Sequence, residues 1–198
     1  MHLDHLVIVV PTLELGAAWF FEKTGIKAHT GGKHTRMGTH NLLVRLEGES
    51  YIELIAIDPD APAPNRPRWF ELDKPVHIPA LVHWVAQVSN LEAIHPLEPL
   101  GVVTAVTRGD YAWKITIPDD GKFVLGGLVP TLIEWQSQHP TANLPESGLR
   151  LLRLEATHPN AARVRENLST LGLELSVKEG LQTQLRALLE TPKGEVWL

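Results

Sequence analysis

The chain has 198 residues, 43% of them hydrophobic and 21% charged, with 18 Lys+Arg against 23 Asp+Glu (net charge −5), 10 His and no Cys. A chain of this length can bury roughly 70% of its unfolded surface, so its core needs neither a disulfide nor a structural zinc. The missing cysteine excludes thiol nucleophiles, cysteine-held zinc and iron–sulfur clusters, leaving His, Asp or Glu to hold any metal, and the acidic balance speaks against a nucleic-acid footprint.

Leu3 to Val10 is a β-branched run that predicts a strand. No basic region precedes it and no small-residue cleavage site follows, so it does not read as a signal peptide, and no apolar run is long enough to span a membrane. The expectation is a cytoplasmic protein that binds a small molecule, with a homodimer as its expected assembly. Leu13 to Lys23 predicts a helix with Thr12 near its cap and Gly25 as its stop. Residues 26–37 predict a loop or an irregular edge strand. Asn41 to Leu46 and Tyr51 to Ile57 predict a hairpin around Glu47–Gly48–Glu49. The Pro-rich stretch 58–67 is an irregular connection, followed by one helical turn at Arg68 to Leu72. Strands are expected at Ala80 to Val88, Val102 to Thr107 and Ala112 to Ile117, with a short helix at Asn90 to Leu97. Phe123 to Trp135 predicts a broken strand pair, and 137–147 a linker. Leu149 to Ala156 predicts a strand, Asn160 to Thr170 a helix, and the tail two strands around the undecided segment Leu181 to Leu189.

An internal repeat organises this succession. LDHLVIVVPTLE (3–14) aligns with LVHWVAQVSNLE (81–92), which sets His5 against His83, 78 residues on. Tyr51–Ile52–Glu53–Leu54 aligns with Leu132–Ile133–Glu134–Trp135, which sets Glu53 against Glu134 at the slightly longer spacing of 81. Each copy reads strand, helix, then three strands, with His on the first strand and Glu on the last. A degraded third copy begins near Leu149 and carries Leu152 at the His5 position, which reads as packing.

Strict alternation places His5 on one face with Leu3, Val7 and Val9, opposite Asp4. Both glutamates lie inside apolar strands, where an ionised carboxylate is costly unless paired, hydrogen-bonded or bound to metal. His5, Glu53, His83 and Glu134 therefore form an expected His2Glu2 set for Zn, Ni, Mn or Fe(II). The competing reading is of hydrogen-bonded structural residues. His34 or His40 are alternative donors.

LDHLVIVV, HTRMGTHNLLVRL, YIELIAI and LVPTLIEW resemble the vicinal-oxygen-chelate superfamily, and within it the glyoxalase-like domain family. The resemblance covers residues 2–136. It implies an α+β fold of paired βαβββ modules (about 1–58 and 79–136) around a shared cleft, with 148–198 as a partial third module packed on it. It also implies a divalent metal on His5, Glu53, His83 and Glu134, and an enzyme of lyase, isomerase or dioxygenase type acting on a small oxygen-rich substrate. Glu53 or Glu134 would leave the metal to act as base. His34, Thr39 and Asn41 would line the cleft mouth, with Arg68 and Trp69 available for a carboxylate and a planar group. Metal-free binding of a ligand, as in the bleomycin-resistance type, is the main alternative, and a structural or interaction role the third.

Overall fold

The computed structural model describes all 198 residues. The first module runs β1 (His2–Val9), α1 (Leu13–Thr24), β2 (His29–His34), β3 (Thr39–Arg45) and β4 (Tyr51–Ile57). The second runs β5 (Ala80–Gln87), β6 (Val102–Arg108), β7 (Tyr111–Ile117) and β8 (Thr131–Trp135). Together they form one eight-stranded sheet in the order β2-β3-β4-β1-β5-β8-β7-β6. In each half the first strand lies parallel to the last, β1 on β4 and β5 on β8, and β1 joins β5 antiparallel across the middle. This is an α+β, sheet-dominated fold of paired modules.

α1 forms where its caps allow. The Thr12 hydroxyl accepts from Leu15 N, and Gly25 closes the helix in the left-handed region (φ 77°) with its N–H on Phe21 O. A Cβ on Gly16 would stand 2.7 Å from Val10 Cγ1, so this glycine lets the helix sit close on the sheet. The second module has no such helix. The expected helix over 90–97 is only a 3-10 turn, Leu91–Ala93, capped by the Asn90 side chain, because Pro96 and Pro99 stop its propagation. In the expected strand pair of 123–135 only β8 is a strand. Val124–Gly127 is a 3-10 turn with Leu125 and Gly126 in the left-handed region.

The tail folds as β9 (Arg150–His158), α2 (Ala161–Thr170), β10 (Ser176–Glu179), β11 (Gln184–Thr191) and β12 (Gly194–Trp197). Its element succession matches the first module, but its pairing does not. The order is β10-β9-β11-β12, with β10 rather than the last strand beside β9. The undecided segment 181–189 contributes to β11. Leu152 does not pack: it is 41% exposed, left over between the β9–β11 pairs Arg153–Leu188 and Leu151–Leu189.

Two apolar clusters lie on opposite faces of the large sheet. Leu6, Ile8 and Val10 of the first strand and its exit pack on Phe20 of α1 and on Leu168, Ala187 and Leu189 of the tail, all buried in one cluster. Val7, Val9 and Ile55 point the other way and pack with Trp113 and Ile115 of β7 and with Trp69, Phe70 and Leu72 of the 58–79 connection. That connection lies over the second face of the sheet, and the polar site is beneath it.

Candidate functional site

The site starts from an irregularity in β1. Leu3 pairs with Ala86 and His5 with Val85, so Asp4 is an extra residue in a β-bulge. A bulge interrupts alternation, and Asp4 is thereby turned into contact with its neighbour rather than to the opposite face, which corrects the alternating assignment. The Asp4 side chain is fully buried, and its Oδ1 stands 2.6 Å from His5 Nδ1. Its Oδ2 accepts from Trp135 Nε1 at 2.8 Å and pairs with His139 Nε2 at 3.3 Å. Burial opposes the charge on Asp4, but the bonds from His139 and His5 prevail and hold the carboxyl far below the usual range.

His5 is buried, with Tyr51 stacked on it at 4.6 Å. Since Asp4 is an anion, Nδ1–H donates to it, and Nε2 faces Glu53 Oε2 at 3.6 Å. Glu53 is also buried, and its Oε1 accepts from Asn41 Nδ2 at 2.6 Å. Asn41 is itself oriented, because its Oδ1 accepts from Gly32 N at 2.9 Å and from Arg108 Nη1 at 3.2 Å. Gly31 makes room for this: a Cβ there would fall 2.1 Å from Asn41 Oδ1. Tyr51 is held protonated, its phenol pushed well up by burial, then by Asp4 and Glu53.

His34 stands beside them with Nε2 accepting from Arg108 Nη1 at 3.1 Å and Nδ1 on the Thr39 hydroxyl at 3.1 Å. Burial, then the Arg108 charge, pushes it down to about 3, so it is neutral near pH 7. These side chains line a cavity of about 30 Å³ together with Trp69, Phe70, Trp113 and Trp135. By that measure it has room for about two waters.

Of the residues expected from sequence, His5, His34, Asn41, Glu53 and Trp69 meet at this cavity. Thr39 stands behind His34 as its partner. Arg68 does not take part, because Asp73 engages both its guanidinium and its backbone N–H. His83 is buried but committed elsewhere: Nδ1–H donates to Gly127 O at 2.8 Å, while Nε2 accepts from Thr131 N at 3.0 Å. Burial pushes it down to about 3. Glu134 lies on the far side of β8, where its carboxylate accepts from Leu91 N at 2.7 Å and Gln136 Nε2 at 2.6 Å.

The strand ladders explain Glu134. Val7 pairs with Glu53 in the first module, and Val85 pairs with Thr131 in the second. The spacing of 78 that relates His5 to His83 therefore continues unbroken and sets Glu53 against Thr131. The spacing of 81 had matched apolar runs and put the wrong face of β8 toward the site. Ile133 and Trp135 face the cavity instead. Sequence reasoning missed Asp4, Tyr51, Arg108 and His139. The glycine pair Gly31–Gly32 was the available signal of a close approach by other side chains.

The donor set does not fit the expected metal. His83 has both ring nitrogens occupied, Glu134 is on the opposite face, and His34 spends Nε2 on the cationic Arg108. No three His, Asp or Glu side chains are arranged to hold an ion. His5 and Glu53 alone do not make a His2Glu2 or a 2-His-1-carboxylate site.

The sequence profile of the glyoxalase-like domain matches residues 3–172, most of the chain. The chain belongs to the glyoxalase-like domain family. A hypothetical protein from Staphylococcus aureus has a similar structure (TM-score 0.59, 14% identity, 99% of this chain and 84% of that one). Methylmalonyl-CoA epimerases are more distant: that of Mycobacterium tuberculosis aligns at TM-score 0.45 and 18% identity over 72% of this chain and 91% of that one. The Streptomyces coelicolor epimerase, as a point variant in complex with 2-nitronate-propionyl-CoA, aligns at 0.41 and 14% over 69% and 97%. No curated protein matches by sequence. No helix of this glyoxalase-like protein is long and apolar enough to cross a membrane.

Metal content and pH-dependent stability both test this geometry. Protein purified without a tag and supplemented with Zn, Ni, Mn or Fe(II) should hold well under one ion per chain by elemental analysis; a stoichiometric ion lost in His5→Gln and Glu134→Gln alike would restore the four-ligand site. His34 and His83 both have native values below their unfolded value of about 6.5. The unfolded chain therefore takes up protons first, and their contribution, complete above about pH 6.5, is lost as pH falls toward 3. Urea unfolding should show stability declining from about pH 6.5 to 4, with a shallower decline in His83→Asn.

Proposed function

We propose that the cavity is a proton-transfer centre acting on carbon beside a carbonyl group, giving an isomerase- or lyase-type reaction on a small oxygen-rich substrate. The observation that carries this reading is the 3.6 Å approach of His5 Nε2 to Glu53 Oε2 at a small cavity, each group held from behind by a different partner. Asn41 engages Glu53 Oε1, which leaves Oε2 to act as base. His5 stands between two carboxylates, with Nδ1–H on Asp4 and Nε2 facing Glu53, so a proton carried on Nε2 can serve as the acid.

In this reading Glu53 Oε2 removes the proton from carbon, and the C–H electron pair moves into the bond toward the carbonyl carbon. The carbonyl oxygen takes the proton of His5 Nε2, giving an enol and a neutral imidazole. Reversal returns the enol proton to His5 and the Glu53 proton to carbon. Return of the Glu53 proton to the neighbouring carbon after enediol formation, with the second hydroxyl proton passing to His5, moves the carbonyl. With a leaving group on the next carbon, the enol proton returns to His5 and the carbonyl re-forms. The C=C pair shifts to expel the leaving group with its bonding pair, and Glu53 gives it the proton, a lyase reaction. Burial and fixed dipoles make these charges count for more than they would in solution.

Trp69 and Phe70 of the Trp69–Glu71 turn stand in the wall of this small cavity, so a substrate of this class meets them on entry. Phe70 and Glu71 have φ of 56° and 53°, a conformation that costs of order 1–3 kcal/mol at a non-glycine residue. Moving this turn therefore releases local strain as well as breaking contacts. The same aromatic walls favour a second reading, in which a ligand is sequestered without turnover.

Exchange of substrate C–H with solvent deuterium separates the two. In D2O, the wild-type protein should accelerate exchange in one or more of 2-oxobutanoate, 2-hydroxyacetophenone and hydroxyacetone, followed by proton NMR. Glu53→Gln should slow that exchange by about 100-fold or more while leaving the circular dichroism spectrum unchanged. Equal exchange in the two proteins would rule out Glu53 as base, and binding without exchange across the panel would establish sequestration instead.

A further inference from the structure

Arg108 ends β6 in the second module and reaches across to the first. Gly32 clears its path, since a Cβ there would stand 2.8 Å from Arg108 Cδ. The guanidinium lies 5.5 and 5.9 Å from the ring centres of Tyr111 and Trp113, and Nη1 donates to His34 and Asn41. All these partners are neutral. No carboxylate of the chain comes within 4.0 Å of the guanidinium, although it lines the cavity that contains Glu53.

A half-buried guanidinium with five donors and no anion is an incomplete pair. Some arginines elsewhere have carboxylates, Asp73 on Arg68 and Glu98 on Arg163. A second group in the same wall lacks an acceptor as well. The Trp69 indole N–H is buried and makes no hydrogen bond. The unpaired cation in the wall of this small cavity calls for an anionic oxygen acceptor.

We infer that the substrate is a small 2-oxo or 2-hydroxy carboxylic acid whose carboxylate is received by the free N–H donors of Arg108. The planar fork of arginine matches a carboxylate edge, and a flat three-atom group suits the confined volume better than a tetrahedral phosphate. With a 2-oxo acid held there, the proton-transfer reading has the C2 oxygen meet His5 and the C3 proton meet Glu53. The choice of reacting carbon rests on the proton-transfer reading; the recognition of the carboxylate does not.

Trp69, Trp113 and Trp135 in the cavity wall make binding visible by tryptophan fluorescence. Wild type, Arg108→Gln, Arg108→Lys and Glu53→Gln are titrated at fixed ionic strength with 2-oxobutanoate, its neutral amide and inorganic phosphate. The acid should bind wild type about tenfold or more tightly than the amide, as expected for one charge-assisted contact. Arg108→Gln should abolish that preference, and Arg108→Lys, which keeps the charge without the fork, should retain part of it. Glu53→Gln should keep acid binding, so loss of exchange and loss of recognition are read separately. Equal binding of acid and amide by wild type, an unchanged preference in Arg108→Gln, or tighter binding of phosphate would overturn the assignment.

Discussion

Asp4 introduces a carboxylate with no solvent exposure into the middle of an eight-stranded sheet, and the protein has to supply everything that water would have supplied. An uncompensated ion there costs several kcal/mol, so the surroundings are organised around it. His5 meets it from the same strand, Trp135 from the last strand of the second module, and His139 from the connection into the tail. The carboxylate thus ties three parts of the chain at one point. It also decides which nitrogen of His5 faces the cavity, and through His5 it sets the direction of the contact with Glu53.

The two modules share a backbone and divide the labour. His5 and Glu53 have His83 and Thr131 as their counterparts along the ladders, and the second pair closes on itself with a backbone N–H and a carbonyl. A histidine satisfied on both nitrogens and held neutral contributes to packing and to the seating of Gly127 against β5. The second module's contribution to the site comes from other positions: Arg108, Trp113 and Trp135. The two halves share one frame but not the side chains at its equivalent positions, so a site read by copying the first half onto the second acquires ligands it does not have.

The strands were legible because β-branched runs and Gly or Pro punctuation are local signals. The repeat was legible for the same reason, as was the meeting of His5, His34, Asn41 and Glu53. What escaped depended on single-residue register. One extra residue in β1 moves Asp4 from an outward position to the centre of the site, and alternation has no means of announcing it. One choice of alignment on β8 exchanges Glu134 for Trp135 at the cavity. Arg108 was hidden differently: its reach depends on the absence of side chains at a glycine pair in another module, a long-range fact carried by Gly31–Gly32.

The central claim is that an ionised Asp4 holds His5 with Nδ1 protonated and Nε2 turned to Glu53. Nitrogen-15 NMR of the histidine rings, with His5 assigned by its loss in His5→Gln, tests this directly. The account predicts an Nδ1–H on His5 at every pH where the protein is folded, with a proton resonance shifted far downfield that disappears in Asp4→Asn. A His5 ring with Nδ1 bare and Nε2 protonated near pH 7, or one whose spectrum is unchanged by Asp4→Asn, would contradict it.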